Sequence, residues 1–119
     1  MNHYIDGFLL PIKPTKLNDY TNIAQAASDI WREHGALAYC EAVADDIEKS
    51  QVSFKEIIGA TEQETVIFAW IVYESKAERD RINAAVLADP RLKALCSEDN
   101  MPFEFKRMAF GGFRSIVRY

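Results

Sequence analysis

Val66-Ile67-Phe68-Ala69-Trp70-Ile71-Val72-Tyr73 is an unbroken run of apolar residues. A β-strand alternates its side chains, so Val66, Phe68, Trp70 and Val72 point one way and Ile67, Ala69, Ile71 and Tyr73 the other. Both sets are apolar, so both faces of this strand belong out of water. Helices of the same chain can cover one face of a small sheet, and a second copy of the chain is the simplest cover for the other. The run therefore implies a sheet with helices on one side and a homodimer formed through the opposite side.

The flanking sequence supplies the other elements. Tyr4 to Ile12 reads as a first strand bounded by Pro11 and Pro14, residues that belong at strand edges and ends. Thr15 is placed as the N-cap of a long helix. Leu17, Tyr20, Ala24, Ala27, Trp31 and then His34 step along it by three and four, and Gly35 is expected to end it. Ala36 to Ile47 reads as a second strand, with Leu37, Tyr39, Glu41 and Val43 on one side and Ala38, Cys40, Ala42 and Ala44 on the other. A polar excursion over 48–64 contains the capping box Ser53-Phe54-Lys55-Glu56 and a stop at Gly59. After the apolar run, Ser75-Lys76-Ala77-Glu78 opens a helix to about Ala88, and Asp89-Pro90 opens a shorter one. Arg107 to Val117 reads as the last strand, loosened by Gly111-Gly112. The order β-α-β, excursion, β-α-α-β is an α+β ferredoxin-like split βαβ plait, with residues 1–119 as a single domain.

Composition narrows the function classes. Fourteen Lys and Arg against eighteen Asp and Glu give a formal charge of −4, and no basic run is present. Affinity for nucleic acid comes mainly from neutralising phosphates, so a nucleic-acid partner is not expected. No apolar segment approaches the roughly 20 residues that span a bilayer, so no membrane partner is expected. Met1 to Asp6 lacks a basic stretch followed by an apolar one, which argues against a secretory signal. Cys40 and Cys96 have no CxxC partner. A reduced, cytoplasmic setting is therefore expected.

Several segments together are similar to one bacterial family. They are Tyr4-Ile5-Asp6-Gly7-Phe8, Trp31-Arg32-Glu33-His34-Gly35-Ala36, Asp45-Asp46, Phe68 to Tyr73, Arg79-Asp80-Arg81-Ile82-Asn83, Asp89-Pro90-Arg91-Leu92, Met101-Pro102-Phe103, Arg107-Met108 and Gly111-Gly112-Phe113. In this order they resemble domain-of-unknown-function family 1428, the YbaA-like proteins, over nearly the whole chain. The resemblance implies the dimeric α/β-barrel superfamily, in which two plaits pack sheet to sheet. That superfamily hosts cofactor-free monooxygenases, haem-degrading enzymes, lactone isomerases and plain binding domains, so the fold fixes no reaction.

Candidate chemistry rests on single residues. His34 continues the stripe of Ala27 and Trp31, so it is expected to face the sheet, where an imidazole could act as general acid or base. It equally fits a structural histidine at a helix C-terminus. Asp6 and Glu41 are carboxylates in strands that otherwise bury apolar side chains, and a buried carboxylate must be paired or must have a raised pKa. A salt bridge to Arg79, Arg81 or Arg107 is the commoner fate. Arg79 lies near the Ile82 and Val86 stripe and could clamp a substrate carboxylate, with Asn83 one turn on, although the Arg79, Asp80, Arg81 cluster more simply reads as a solvated helix face; Arg107 could likewise hold an anion. Trp31, Tyr39, Phe68, Trp70, Phe110 and Phe113 could wall a flat ligand, and Ala38, Cys40, Ala42 and Ala69 could leave room for it. With only His3 and His34 and no Cys cluster, neither a metal nor a cofactor is expected. Two readings follow. One is a homodimer binding a small organic ligand between sheet and helices. The other is a cofactor-independent monooxygenase or acid–base isomerase of a small aromatic or carboxylate substrate, with His34 moving the proton.

Overall fold

A computed structural model describes residues 2–47, 51–97 and 101–118. Strand β1 (Tyr4–Ile12) leads through a 3-10 turn at Pro14–Lys16 into helix α1 (Leu17–His34). Strand β2 (Ala38–Val43), the short helix α2 (Phe54–Ile58) and strand β3 (Thr65–Tyr73) follow, then helices α3 (Lys76–Ala88) and α4 (Pro90–Leu95) and strand β4 (Ala109–Arg114). The four strands form one antiparallel sheet in the order β2-β3-β1-β4, the ferredoxin-like arrangement.

The strand register assigns each face. Tyr4 pairs with Tyr73, Asp6 with Ile71, Phe8 with Ala69 and Leu10 with Ile67; Tyr39, Glu41 and Val43 of β2 stand opposite Ile71, Ala69 and Ile67. This is the face the helices cover. One core cluster joins Ile71 and Tyr73 to Ala27 and Ile30 of α1, Ile82 and Val86 of α3, and Leu92 of α4. A second joins Leu10, Ile12 and Ile67 to Tyr20, near the start of α1.

The opposite face carries Val66, Phe68, Trp70 and Val72 beside Ile5, Leu9 and Phe113. Helix α2 covers only one end of it, where Phe54 meets Phe68 at 6.0 Å between ring centroids and Val66 is buried. Beyond that contact this face is open: Phe68 itself stays 45% exposed, and Phe113 is 61% exposed.

The ends of elements differ from expectation for local reasons. Thr15 does not cap α1; it sits inside the 3-10 turn opened by Pro14, and α1 starts without a side-chain cap. Strand β2 is shorter than 36–47 because the chain bends away at Asp45 and Asp46. Residues 48–50, the start of the expected excursion, lie outside the described residues. Arg107 belongs to a 3-10 turn rather than to β4. The other three N-cap expectations hold: Ser53, Ser75 and Asp89 each accept a backbone N–H of the helix that follows. Gly35 ends α1 at φ +119°, a conformation L side chains rarely adopt. No described helix is long and apolar enough to cross a membrane.

Candidate functional site

The two core clusters do not meet. Where α1 passes over the middle of the sheet, Ala24 beside the second cluster and Ala27 of the first stand over Ala69, side chains too small to fill the space. A cavity of about 440 Å³ remains. Phe8, Leu10, Ala69 and Ile71 contribute its sheet side, and Tyr20, Ile23 and Trp31 join the alanines of α1. Leu92 and Cys96, with Met101, Phe103 and Met108 of the following segment, complete the wall. Leu87, Lys93 and Phe105 are the exposed residues among those lining it.

One carboxylate, Glu41, lines this apolar space among the described residues. Strand β2 points it toward the helices, and α1 brings Tyr20 down onto it. The Tyr20 phenol donates to Oε1, and the Tyr39 phenol donates to Oε2 at 2.7 Å. Burial first, and the charge of Glu41 second, push the pKa of both phenols well above the ordinary tyrosine range. At neutral pH they keep their protons and remain donors. Among the described residues, no arginine, lysine or histidine pairs with Glu41. The same residue also borders a groove of about 590 Å³ between α1 and β2, lined on the helix side by Thr21, Gln25, Ser28 and Arg32.

Behind the cavity wall lies a second polar cluster. Trp31 Nε1 donates to Tyr73 Oη at 3.1 Å and to Asn83 Oδ1 at 3.2 Å, and Tyr73 Oη donates to Asn83 Oδ1 at 3.0 Å. Asn83 Nδ2 donates to Asp6 Oδ2 at 3.3 Å, and Arg79 Nη1 donates to Asp6 Oδ1 at 2.7 Å. The guanidinium lies 4.7 Å from the centroid of the Tyr4 ring. Asp6 is only 4% exposed, and each of its oxygens accepts one of these bonds, one of them from a cation. No described buried side-chain polar atom lacks a partner. Arg79 and Asn83 thus turn inward, onto Asp6 and Tyr73 rather than toward the cavity.

Two other expected site residues stand elsewhere. His34 does not face the sheet: as the last residue of α1 it meets the start of α4, where its Nε2 lies 2.9 Å from Asp89 Oδ2. Asp89 also accepts the backbone N–H of Arg91, and hydrogen bonds from Arg91 and then His34 hold its carboxyl well below the usual range. Arg107 grips Glu64 through two bonds of 2.8 Å and the Gly59 carbonyl at 3.0 Å. Hydrogen bonds from Arg107, then the Thr61 amide, push the Glu64 pKa down to about 2. Of the expected aromatic walls, Trp31 and Tyr39 line the cavity, while Trp70 stands on the open face against Phe68, 5.8 Å between centroids. Ala69 leaves room as expected; Ala38, Cys40 and Ala42 lie on the open face.

Tyr20, Cys96, Met101, Phe103 and Met108 were not singled out by sequence reasoning. Tyr20 carried a usable signal, because a phenol on a buried helical stripe needs a partner for its hydroxyl. The others offer none, since residues 101–108 come to the cavity by the path of a loop. Among the described residues, no group of three or more His, Cys, Asp or Glu could hold a metal.

Comparison with known proteins places the chain. The model of a family described as protein of unknown function DUF1428 matches residues 3–105. The uncharacterized protein YbaA of Escherichia coli K12 is 39% identical over 115 residues, covering 96% of this chain and 97% of YbaA. Among solved structures, a nipsnap family protein with unknown function from Agrobacterium tumefaciens is similar at TM-score 0.60 and 14% identity, over 95% of this chain and 87% of that one. A dimeric ferredoxin-like protein from an uncultured marine organism is similar at TM-score 0.56 and 8% identity, over 98% and 96%. At such identities the structures speak for the fold alone. The chain belongs to the DUF1428 family, and its fold is the ferredoxin-like α+β plait.

Proposed function

We propose that this protein is a homodimer that binds a small organic molecule in the cavity between its sheet and helices. The observation that carries the reading is the 440 Å³ cavity itself, mainly apolar, with one carboxylate among its described lining residues held by two phenols. Small-molecule sites are of this kind: roughly 300–1,000 Å³, mainly apolar, with few polar groups to orient the ligand. The dimer is supported by the open face of the sheet, where Phe68, Phe113, Ala38, Ala42 and Ala109 are exposed beside Ile5, Trp70 and Val72. An apolar strand face of this extent marks an interaction surface. A marine protein of the same fold is dimeric, which supports the same assembly. A reducing, cytoplasmic setting agrees with Cys40 and Cys96 being free thiols.

A cofactor-independent monooxygenase or acid–base isomerase is the second reading, and Glu41 favours it, because a carboxylate facing the cavity could move a proton. His34 and Asp6 lie outside the cavity and would not touch a ligand there.

The test is a thermal-shift screen of small aromatic alcohols, amines, lactones and quinols on the wild-type protein and on Ala24→Phe, which fills the cavity. A compound that raises the melting temperature of the wild type by mass action, and does not raise that of the folded variant, supports the reading. Equal shifts in both proteins would put the ligand elsewhere.

A further inference from the structure

We infer that the cavity selects a ring-sized apolar molecule bearing a hydrogen-bond donor, an amine or a hydroxyl, that seats on Glu41, and that it discriminates against carboxylates. The inference rests on the proposed ligand site and adds the chemistry of what enters it.

A carboxylate offers about four lone-pair positions to donors. Tyr20 takes one on Oε1 and Tyr39 one on Oε2, so each oxygen keeps an open position. The other well-anchored carboxylates of this protein have cationic partners: Asp6 has Arg79, Glu64 has Arg107, and Asp89 has Arg91 and His34. Among the described residues Glu41 has only phenols, in a wall that is otherwise mainly apolar. A partly buried carboxylate without a cation is poorly compensated, and an incoming donor supplies what is missing.

The same geometry works against an anion. Both phenol protons already point at Glu41, which leaves a ligand carboxylate facing a like charge with no donor from these tyrosines. Lys93 is the cation among the described lining residues, and it is exposed, where water and salt screen it. Trp31, Tyr39 and Phe103 offer ring faces to an aromatic body or an ammonium group.

The test uses four probes of one shape, 2-naphthylmethylamine, 2-naphthol, 2-methoxynaphthalene and 2-naphthoate. Each is titrated into the wild-type protein and followed by the backbone amide resonances of Ala24, Tyr39, Glu41 and Ala69. The amine and the naphthol are expected to bind at least tenfold tighter than the methoxy compound and the naphthoate. In Glu41→Gln that gap should shrink to less than threefold. The wild-type comparison stands even where the variant does not fold. Naphthoate binding as tightly as the amine, or all four binding alike, would overturn the donor inference while leaving the cavity site in place. If none of the four moves these amides, the cavity reading falls with it.

Discussion

Arg79 Nη1 donates to Asp6 Oδ1 at 2.7 Å, tying α3 to the interior strand β1 beside the Tyr4 ring. Gly112 belongs to the same arrangement. It stands opposite Asp6 on β4, and a Cβ there would fall on the Tyr4 ring. Removing one partner of a buried ion pair leaves the other charge uncompensated, which costs about 3–5 kcal/mol. Arg79→Met should lower the unfolding free energy in urea by that amount, and Asp6→Ala by less, because Arg79 Nε keeps its 2.8 Å bond to Asp80 Oδ1. The double variant Asp6→Ala/Arg79→Met should lose less than the sum of the two. Single variants as stable as the wild type would remove this pair from the framework.

His34 joins the end of α1 to the cap of α4 through Asp89. His34→Ala should cost about 0.5–1.5 kcal/mol, the net worth of a hydrogen bond. Asp89→Ala also removes a helix cap, worth about 0.5–2 kcal/mol. Ligand affinity at the cavity should be unchanged in His34→Ala. A folded His34→Ala protein that no longer binds would return this histidine to the site.

Glu64 gives a pH signature. Its pKa is depressed from 4.5 to about 2 in the folded protein. A depressed carboxyl stabilises the fold fully above its unfolded pKa, and the contribution is lost as pH falls through the folded one. The melting temperature should therefore fall between pH 4.5 and 2. In Arg107→Gln it should start lower at pH 6 and fall less steeply through the same window. Parallel pH profiles for the two proteins would show that Arg107 is not the cause.

The open sheet face is the proposed dimer contact. Phe68→Asp places a charge at its centre, opposite Leu9 and Ala42 and away from the helix-covered core. Sedimentation equilibrium should give twice the chain mass for the wild type and the single-chain mass for this variant, with the helical circular dichroism retained. A monomeric wild type at micromolar concentration would contradict the assembly.

The framework was legible because periodicity speaks about faces. The two apolar sets of Val66 to Tyr73 and the capping residues Ser53, Ser75 and Asp89 place strands and helices correctly. The stripe of α1 also places Tyr20, Ala27 and Trp31 against the sheet. Which face of β3 meets the helices was not legible, because Ile67, Ala69, Ile71 and Tyr73 are no more apolar than the opposite set. Long-range pairing was harder still. Asp6 finds Arg79 across 73 positions, while Glu41 finds two phenols and no arginine. Nothing in either strand's own pattern distinguishes these two carboxylates. Helical spacing does not carry to His34, because it is the last residue of α1 and its contact is the start of α4 rather than the sheet. The cavity follows from Ala24, Ala27 and Ala69 facing one another, a coincidence of three small residues visible only once α1 is laid across β3.

The two tryptophans permit the most direct test of the cavity as a ligand site, since Trp31 lines it and Trp70 stands on the opposite face of the sheet. The measurement is the emission of Trp70→Phe and of Trp31→Phe during titration with cyclohexylmethanol, which does not absorb where tryptophan is excited. The account predicts a saturable blue shift from Trp31 and no saturable change from Trp70. A saturable response from Trp70 alone, or from neither residue, would contradict it.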